Sequence, residues 1–221
     1  MNPLTREWVD KAEADFILDA ALAHLRAADP VLGGLIEQIG PYVLQRDPDH
    51  FYALFSSIVA QQISVRAAAT IMGRVEALFP AEESITATAV LAAGPEALRA
   101  AGLSGMKTRY VLDLAERVAD GRLDLERLAS LDDDAVIAEL VQVRGIGRWT
   151  AEMFLIFALG RPNVLPVDDL GFRVAVKQKY GFNELPTAEQ LRTLGACWAP
   201  YRTVATWYLW RSRGTIPRGE Q

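Results

Sequence analysis

Two groups of residues in the second half of the chain have types and spacing suited to chemistry on an anionic ligand. The first is Gly145-Ile146-Gly147, where two glycines one residue apart separate two segments of helical periodicity. The N–H groups of the helix that begins near Arg148 carry the positive end of its dipole. We therefore expect a phosphate-binding turn formed by Gly145, Gly147, Arg148 and Thr150.

The second group is the carboxylate pair Asp168-Asp169, which follows the loop of residues 159–166, rich in glycine and proline. Two aspartates before a helix ordinarily act as helix caps. A carboxylate can also stabilise positive charge that develops on a sugar and orient or deprotonate a water molecule. The pair follows the glycine turn by about twenty residues, and its residue types alone leave both interpretations open.

The extended pattern LVQVRGIGRWTAEM at Leu140–Met153, followed by LPVDDL, resembles the helix-hairpin-helix/Gly-Pro-Asp DNA glycosylase superfamily, in its 3-methyladenine DNA glycosylase II branch. The likeness covers about residues 30–213. It implies an all-α fold of two interleaved helical lobes with a cleft between them. We place one lobe at residues 1–50 plus 165–221 and the other at 51–164, with the helix-hairpin-helix at 133–159.

The resemblance also assigns chemistry. The P-x-D-D-L context of the alkylation branch selects Asp169 as the catalytic carboxylate, with Asp168 as the cap of a helix at 169–179. The V-D-x-x-x-[FW] pattern of strand-cleaving relatives would instead select Asp168. Those relatives carry a Schiff-base lysine where this chain has Trp149, and tryptophan is not an amine nucleophile. The implied enzyme hydrolyses the N-glycosidic bond, leaves an abasic site and has no lyase activity.

By the same resemblance, three further sets of residues gain roles. The target base leaves the stack, and an aromatic pocket would attract a cationic alkylated base. The pocket residues are Trp149, Trp210 and Met153, where some members have tyrosine in place of Met153. The plug that fills the gap in DNA is Gln62, with Gln61 beside it; the alternative for both is an interhelix hydrogen bond. The backbone carbonyls of Val141, Val143 and Ile146 would hold a structural Na⁺ or K⁺.

For several further residues a purely structural role is the alternative to a role at the site. Trp198, Trp207 and Tyr208 are candidates for core packing, and Lys107, in a segment that resembles A-x-G-[LF]-S-x-x-K, would contact phosphate or be solvated. No cofactor is required by the implied hydrolysis. The single cysteine, Cys197, excludes a cysteine-ligated iron–sulfur cluster and an internal disulfide.

Composition limits the partners. The net charge of −5 opposes a nucleic-acid partner when taken alone. Residues 142–181, however, carry six basic side chains against three acidic ones, so a local basic face is compatible with DNA. Neither a signal peptide nor an apolar run of membrane-spanning length is visible. We expect a monomer that binds double-stranded DNA containing alkylated bases and no membrane, in an intracellular location, cytoplasmic and nucleoid-associated if bacterial.

The periodicity is helical nearly throughout, with almost no sheet expected. Asp29-Pro30 and Asp47-Pro48 resemble helix starts, and Ser64 resembles an N-cap. The predicted helices are 5–27, 30–39, 49–60, 65–79, 87–91, 95–101, 106–119, 124–129, 133–142, 148–159, 169–179, 187–197 and 201–213.

Three alternatives to an alkylpurine glycosylase stay open. A glycosylase for oxidised, deaminated or mismatched bases would share the fold. A non-catalytic helix-hairpin-helix protein would bind DNA without needing Asp169 or Trp149. A helical scaffold that binds no DNA would agree best with the net acidity.

Overall fold

A computed structural model describes residues 11–80 and 84–214, with side chains from residue 17 onward. This part of the chain forms twelve helices and no strand, which confirms the all-α prediction. The predicted stripe at the start of the first helix lies partly outside the described residues. None of the described helices has the length and apolar character needed to cross a membrane.

The chain divides into two compact units, one formed by the chain up to Arg46 together with the chain from Leu155 onward, the other by Asp47–Phe154. The boundaries therefore fall near 46 and 154, where the sequence placed them near 50 and 164. Helices of the first unit are α1 (Lys11–Ala28), α2 (Pro30–Ile39), α10 (Leu170–Tyr180), α11 (Ala188–Leu194) and α12 (Arg202–Arg211). Helices of the second are α3 (His50–Ala60), α4 (Val65–Glu76), α5 (Ala87–Ala100), α6 (Gly105–Ala119), α7 (Leu125–Leu128) and α8 (Asp133–Leu140). Helix α9 (Arg148–Phe157) contains the second boundary, so the chain changes unit inside a helix and not in the loop that follows it.

Side-chain caps explain where most of these helices begin. Asp29 Oδ1 accepts hydrogen bonds from the N–H groups of Val31 and Leu32, as its position before Pro30 predicts. At the second Asp-Pro pair the predicted cap lies two residues too early. Asp49, and not Asp47, caps α3 by accepting from Tyr52 N at 2.9 Å.

Helix α5 joins the two short helices predicted at 87–91 and 95–101. Its backbone leaves helical geometry at Gly94, with φ +75° and ψ 172°, directly before Pro95. Proline cannot donate the hydrogen bond that a continuous helix would need there, so the helix bends. The two segments were therefore correctly recognised, although they form one kinked element.

Each unit has its own apolar interior. In the second unit, α3 packs against α6 and α4, and α5 packs against α6. Leu54, Phe55 and Ile58 of α3 are fully buried. In the first unit α12 packs against α2 and α10, and Trp198, Trp207 and Tyr208 are buried, which confirms their expected core role.

Candidate functional site

The glycine turn between α8 and α9 rests on an aromatic ring from α6. Gly145 has φ +84°, a left-handed conformation that residues with a Cβ rarely adopt. A Cβ added at this position would overlap the ring of Tyr110. Gly147 has no such neighbour within 4 Å. The two glycines therefore have different reasons to be glycine: the first allows both the turn and the close approach of Tyr110.

A carboxylate on α6 fixes the same turn from a second side. Asp113 Oδ2 accepts the backbone N–H of Arg144 at 2.9 Å and bonds Nε of Arg117 at 3.0 Å. Helix α9 then begins at Arg148, and the first N–H groups of a helix have no partner within the helix. The turn is thus held in one orientation at the positive end of the α9 dipole, the geometry expected of an anion site.

The side chains predicted to accompany that anion site differ in accessibility. Arg148 is more than half exposed, and its Nε bonds Oε1 of Glu152 one turn along α9 at 3.0 Å. Thr150 is buried.

The two glutamines between α3 and α4 have different environments. Gln61 donates from Nε2 to the carbonyl oxygen of Gly145 at 2.8 Å, 84 residues along the chain, so the interhelix hydrogen bond considered for it is present. Gln62 is exposed and has φ +56°, the only positive φ at a non-glycine residue in the part of the chain that the structure describes. Backbone strain of this kind concentrates at functional sites.

The environment of Lys107 contradicts both roles expected from the sequence. Its side chain is neither solvated nor exposed for contact with a phosphate. It is 8% exposed, and its Nζ donates to the carbonyl oxygen of Val59, in the last turn of α3, at 2.6 Å. Burial lowers the pKa of the Lys107 ammonium. The spacing in the sequence carried no sign of this contact because Val59 lies 48 residues earlier.

In the first unit, Asp169 is buried and firmly held at the start of α10. It is 6% exposed, and Oδ1 accepts both the N–H of Phe172 at 2.6 Å and the indole Nε1–H of Trp210 at 2.8 Å. The prediction that Asp168 caps this helix is wrong, because Asp169 is the N-cap and α10 begins one residue later, at Leu170. Asp168 is exposed.

Trp210 is placed beside this carboxylate by two contacts. Its ring is fully buried and stacks on Phe157, with ring centroids 6.0 Å apart and an interplanar angle of 15°. Gly171 leaves room next to it, since an added Cβ would lie 3.2 Å from Asp169 Oδ1 and 3.7 Å from Trp210 Cδ1. The observed contacts of Trp210 are thus those of a residue that orients Asp169.

The other two residues of the predicted base pocket lie on α9. Trp149 is 41% exposed, an unusual value for a large aromatic side chain, whereas Met153, one helical turn later, is buried. Trp149 therefore presents part of its aromatic surface to solvent.

The carbonyl groups predicted to hold a cation lie at the end of α8 and in the turn. Val141 is the C-cap of α8, and Val143 O accepts the N–H of Ile146 at 3.1 Å. The last carbonyl groups of a helix carry the negative end of its dipole, and a carbonyl oxygen has a second lone pair. The donor chemistry therefore fits a monovalent cation.

Comparisons with known proteins identify the family. The family model described as HhH-GPD superfamily base excision DNA repair protein matches residues 55–200. The chain belongs to the HhH-GPD superfamily. This confirms the family that the glycine turn and the aspartate pair resembled. The match contains Gln61, Gly145 and Asp169, whereas Trp210 lies after it.

Individual relatives agree with this assignment. The chain is 31% identical, over 95% of its length and 93% of the relative's, to DNA-3-methyladenine glycosylase 1 of Schizosaccharomyces pombe. Among solved structures, a DNA-3-methyladenine glycosidase from Bacillus halodurans is 41% identical with a TM-score of 0.80, covering 88% of this chain and 89% of its own. The Schizosaccharomyces pombe 3-methyladenine DNA glycosylase Mag1, in complex with abasic DNA, is 29% identical with a TM-score of 0.80, covering 91% and 100%.

Sequence reasoning missed the residues of α6 that support the HhH-GPD turn and the end of α3. Lys107, Tyr110, Asp113 and Arg117 recur every three or four residues and therefore share one face of α6. The available signal was this polar and aromatic stripe along one face of α6. The stripe alone does not show which loops pack against this face of α6.

Proposed function

We propose that this protein is a DNA glycosylase that removes alkylated bases such as 3-methyladenine from double-stranded DNA by hydrolysis, without strand cleavage. The observation that carries the proposal is the buried Asp169, held by Trp210 and by the start of α10 in a chain of the HhH-GPD superfamily. The relatives named as 3-methyladenine glycosylases over nearly the whole chain support the substrate class.

In this proposal Asp169 acts on the sugar. Cleavage of a glycosidic bond passes through an oxocarbenium-like sugar, and a carboxylate fixed beside it stabilises the developing positive charge. The hydrogen bonds from Phe172 N and Trp210 Nε1 converge on Oδ1 of Asp169 and thereby orient its carboxyl group. Because an alkylated purine such as 3-methyladenine already carries positive charge, it leaves readily and needs little acid catalysis.

The remaining predicted residues prepare the substrate. The Gly145–Gly147 turn with Arg148 and Thr150 would hold the DNA backbone, while Gln62 fills the gap that the extruded nucleotide leaves. Trp149 would stack on the base, a role that the exposure of its ring supports. The buried Met153 and Trp210, also expected to serve the base, would act by packing and, for Trp210, through its bond to Asp169. Trp149 also replaces the lysine on which strand cleavage depends in relatives, which supports hydrolysis alone.

A monovalent cation at the carbonyl groups of Val141, Val143 and Ile146 would help to hold a DNA phosphate at the turn. The protein residues do the rest of the binding: the α9 N-terminus and Arg148 supply the positive potential. We further propose that the protein acts as a monomer.

The test is release of free 3-methyladenine from methylated duplex DNA by the wild type and by D169N. We expect D169N to lose about 10²–10⁴-fold in the single-turnover rate, because the carboxylate charge is removed. Its thermal midpoint should stay close to that of the wild type, because asparagine caps helices as well as aspartate does and can still accept from Trp210.

Controls separate the alternatives. D168N alters the exposed neighbour and should keep the wild-type rate; the opposite pattern would move the catalytic role to Asp168. Wild-type product should break only on treatment with alkali, whereas spontaneous strand breaks would contradict hydrolysis alone. If the wild type releases no alkylated base but releases an oxidised or mismatched one, the substrate class is wrong. DNA binding without release of any base would identify a binding protein.

A further inference from the structure

One face of α6 supports both loops that the proposed function assigns to DNA. Near its start, Lys107 bonds the carbonyl of Val59, two residues before the glutamine pair. One turn later, Tyr110 lies against Gly145, and Asp113 holds the N–H of Arg144. The loop that carries Gln61 and Gln62, here called the plug loop, and the phosphate-binding turn are therefore supported by successive turns of a single helix.

A direct bond joins the two loops as well. Gln61 Nε2 donates to Gly145 O at 2.8 Å, so the loop that carries Gln62 is linked to the turn itself. With the bond from Lys107 to Val59, this bond holds the loop at two points, while Tyr110 lies against the turn to which the loop is bonded. These two contacts help to explain how Gln62 keeps its left-handed backbone conformation, because such a conformation persists only where the surrounding structure holds it.

The buried hydrogen bond from Lys107 to Val59 needs an explanation of its own. Burying an ammonium group is unfavourable unless it is well bonded, and burial lowers the pKa of this one. Its partner is a carbonyl in the last turn of α3, where the helix dipole is negative and a cation is stabilised. The interaction ends α3 at a defined point and so sets where Gln61 and Gln62 begin.

We propose that Lys107 is a positioning residue for the DNA plug, which sets the register between Gln62 and the phosphate-binding turn through α6. The inference rests on the proposed function, because it assigns Gln62 to the gap in the duplex. Its consequence is specific to duplex DNA: the plug matters only where a base stack has to be opened and kept open.

The experiment is a double-mutant cycle with K107M and Q62A. Methionine keeps most of the side-chain volume and removes the donor. Single-turnover release of 3-methyladenine is measured on methylated duplex DNA and on the same DNA as single strands. We expect K107M to slow release from duplex about tenfold and from single strands less than about twofold, with less than about twofold further loss in the Q62A background.

A second readout does not depend on catalysis. Fluorescence of 2-aminopurine placed opposite an abasic analogue reports whether a side chain has entered the gap. K107M and Q62A should each shift this signal in the same direction, and the double variant should shift it no further than Q62A. If the wild type shows the fluorescence change but releases no base, the proposed function fails while the positioning role still stands.

Controls distinguish positioning from general loss of structure. R109M removes an exposed cation from the same helix and should leave the ratio of duplex to single-strand rates unchanged. K107Q restores a hydrogen-bond donor and should recover part of the rate on duplex DNA. If K107M does not fold, K107Q replaces it in the double-mutant cycle with Q62A. Equal losses on duplex and single strands, or additive losses in the Q62A background, would overturn the inference.

Discussion

At the scale of single residues, the described molecule concentrates unusual features at a few positions. Asp169 is a buried carboxylate with two donors on one oxygen. Gln62 holds a left-handed backbone conformation without being glycine. Trp149 exposes a large aromatic surface. The features of Gln62 and Trp149 are unfavourable for stability, and such departures are expected where function constrains a residue.

Gln62 offers a test of that trade between stability and function. Replacing it with glycine relieves the left-handed strain but increases the entropy of the unfolded chain. We expect the free energy of unfolding of Q62G to change by less than about 1 kcal/mol, or to rise, while base release from duplex DNA falls. Urea denaturation measures the first quantity and single-turnover kinetics the second. A large loss of stability with full activity would show that the backbone conformation serves folding.

At the scale of elements, helix α6 connects features that are far apart in the sequence. Its N-cap, Ser104, accepts from Lys107 N at 3.2 Å and fixes where the helix begins. That start determines the rotation of the helix and hence which of its residues face the turn at Gly145. The hairpin motif is therefore more than a local arrangement of two helices and two glycines, because its shape depends on a third helix.

The dependence on α6 predicts unequal effects of two similar substitutions. G145A would force a Cβ into the Tyr110 ring and strain a residue at φ +84°, so we expect it to lower the free energy of unfolding by roughly 2–5 kcal/mol. G147A meets no atom within 4 Å and should change stability by less than about 1 kcal/mol. Thermal or urea unfolding of both variants checks the comparison.

A third variant, Y110A, tests whether the Tyr110 ring causes the loss of stability expected for G145A. In Y110A the aromatic ring is absent, so adding G145A should cost less than it does in the wild type, leaving mainly the backbone strain. If G145A and G147A are equally stable, the close approach of Tyr110 to the turn is not a constraint on this chain.

At the scale of the whole molecule, the first unit is built from both ends of the chain. Asp29, at the start of α2, accepts hydrogen bonds at Oδ2 from Tyr180 Oη at 2.7 Å and from Trp198 Nε1 at 2.8 Å. These partners lie 151 and 169 residues later in the sequence. One buried carboxylate thus ties α2 to α10 and to the segment before α12, and it helps to hold the unit that carries Asp169.

The tie to Tyr180 has a consequence at alkaline pH. Burial, and then the bond to Asp29, raises the pKa of the Tyr180 hydroxyl above its ordinary value near 10. Above about pH 10 the unfolded chain loses this proton and the folded chain keeps it, so stability falls by about 1.4 kcal/mol per pH unit. Below that pH the stabilisation is fully present.

Replacing Tyr180 with phenylalanine removes both effects. We expect Y180F to be less stable than the wild type by about 1–3 kcal/mol at pH 7, because Asp29 loses a donor. Above about pH 10 the two stabilities should converge, since the proton-linked loss occurs only in the wild type. Urea unfolding at several pH values between 7 and 11 measures the difference; a constant difference would contradict the linkage.

The sequence by itself determined most helices and the family. Helical periodicity, N-caps such as Asp29 and Ser64, and the glycines of the turn are local signals, because each depends on residues within one or two turns. The helix predicted at 148–159 therefore corresponds closely to Arg148–Phe157. The two wrong predictions, that Asp47 and Asp168 are helix N-caps, also concern local structure. In each case a second aspartate lies within two residues, and composition does not decide which side chain reaches the free N–H groups.

Only the tertiary structure decided which polar atoms meet. The bonds of Gln61 to Gly145, Lys107 to Val59 and Trp210 to Asp169 join groups 84, 48 and 41 residues apart. Such pairs depend on how helices rotate and pack against one another, which the periodicity of a single helix does not encode. For this reason the sequence could identify the turn at Gly145 and the aspartate pair, whereas the support from α6 became visible only in the folded chain.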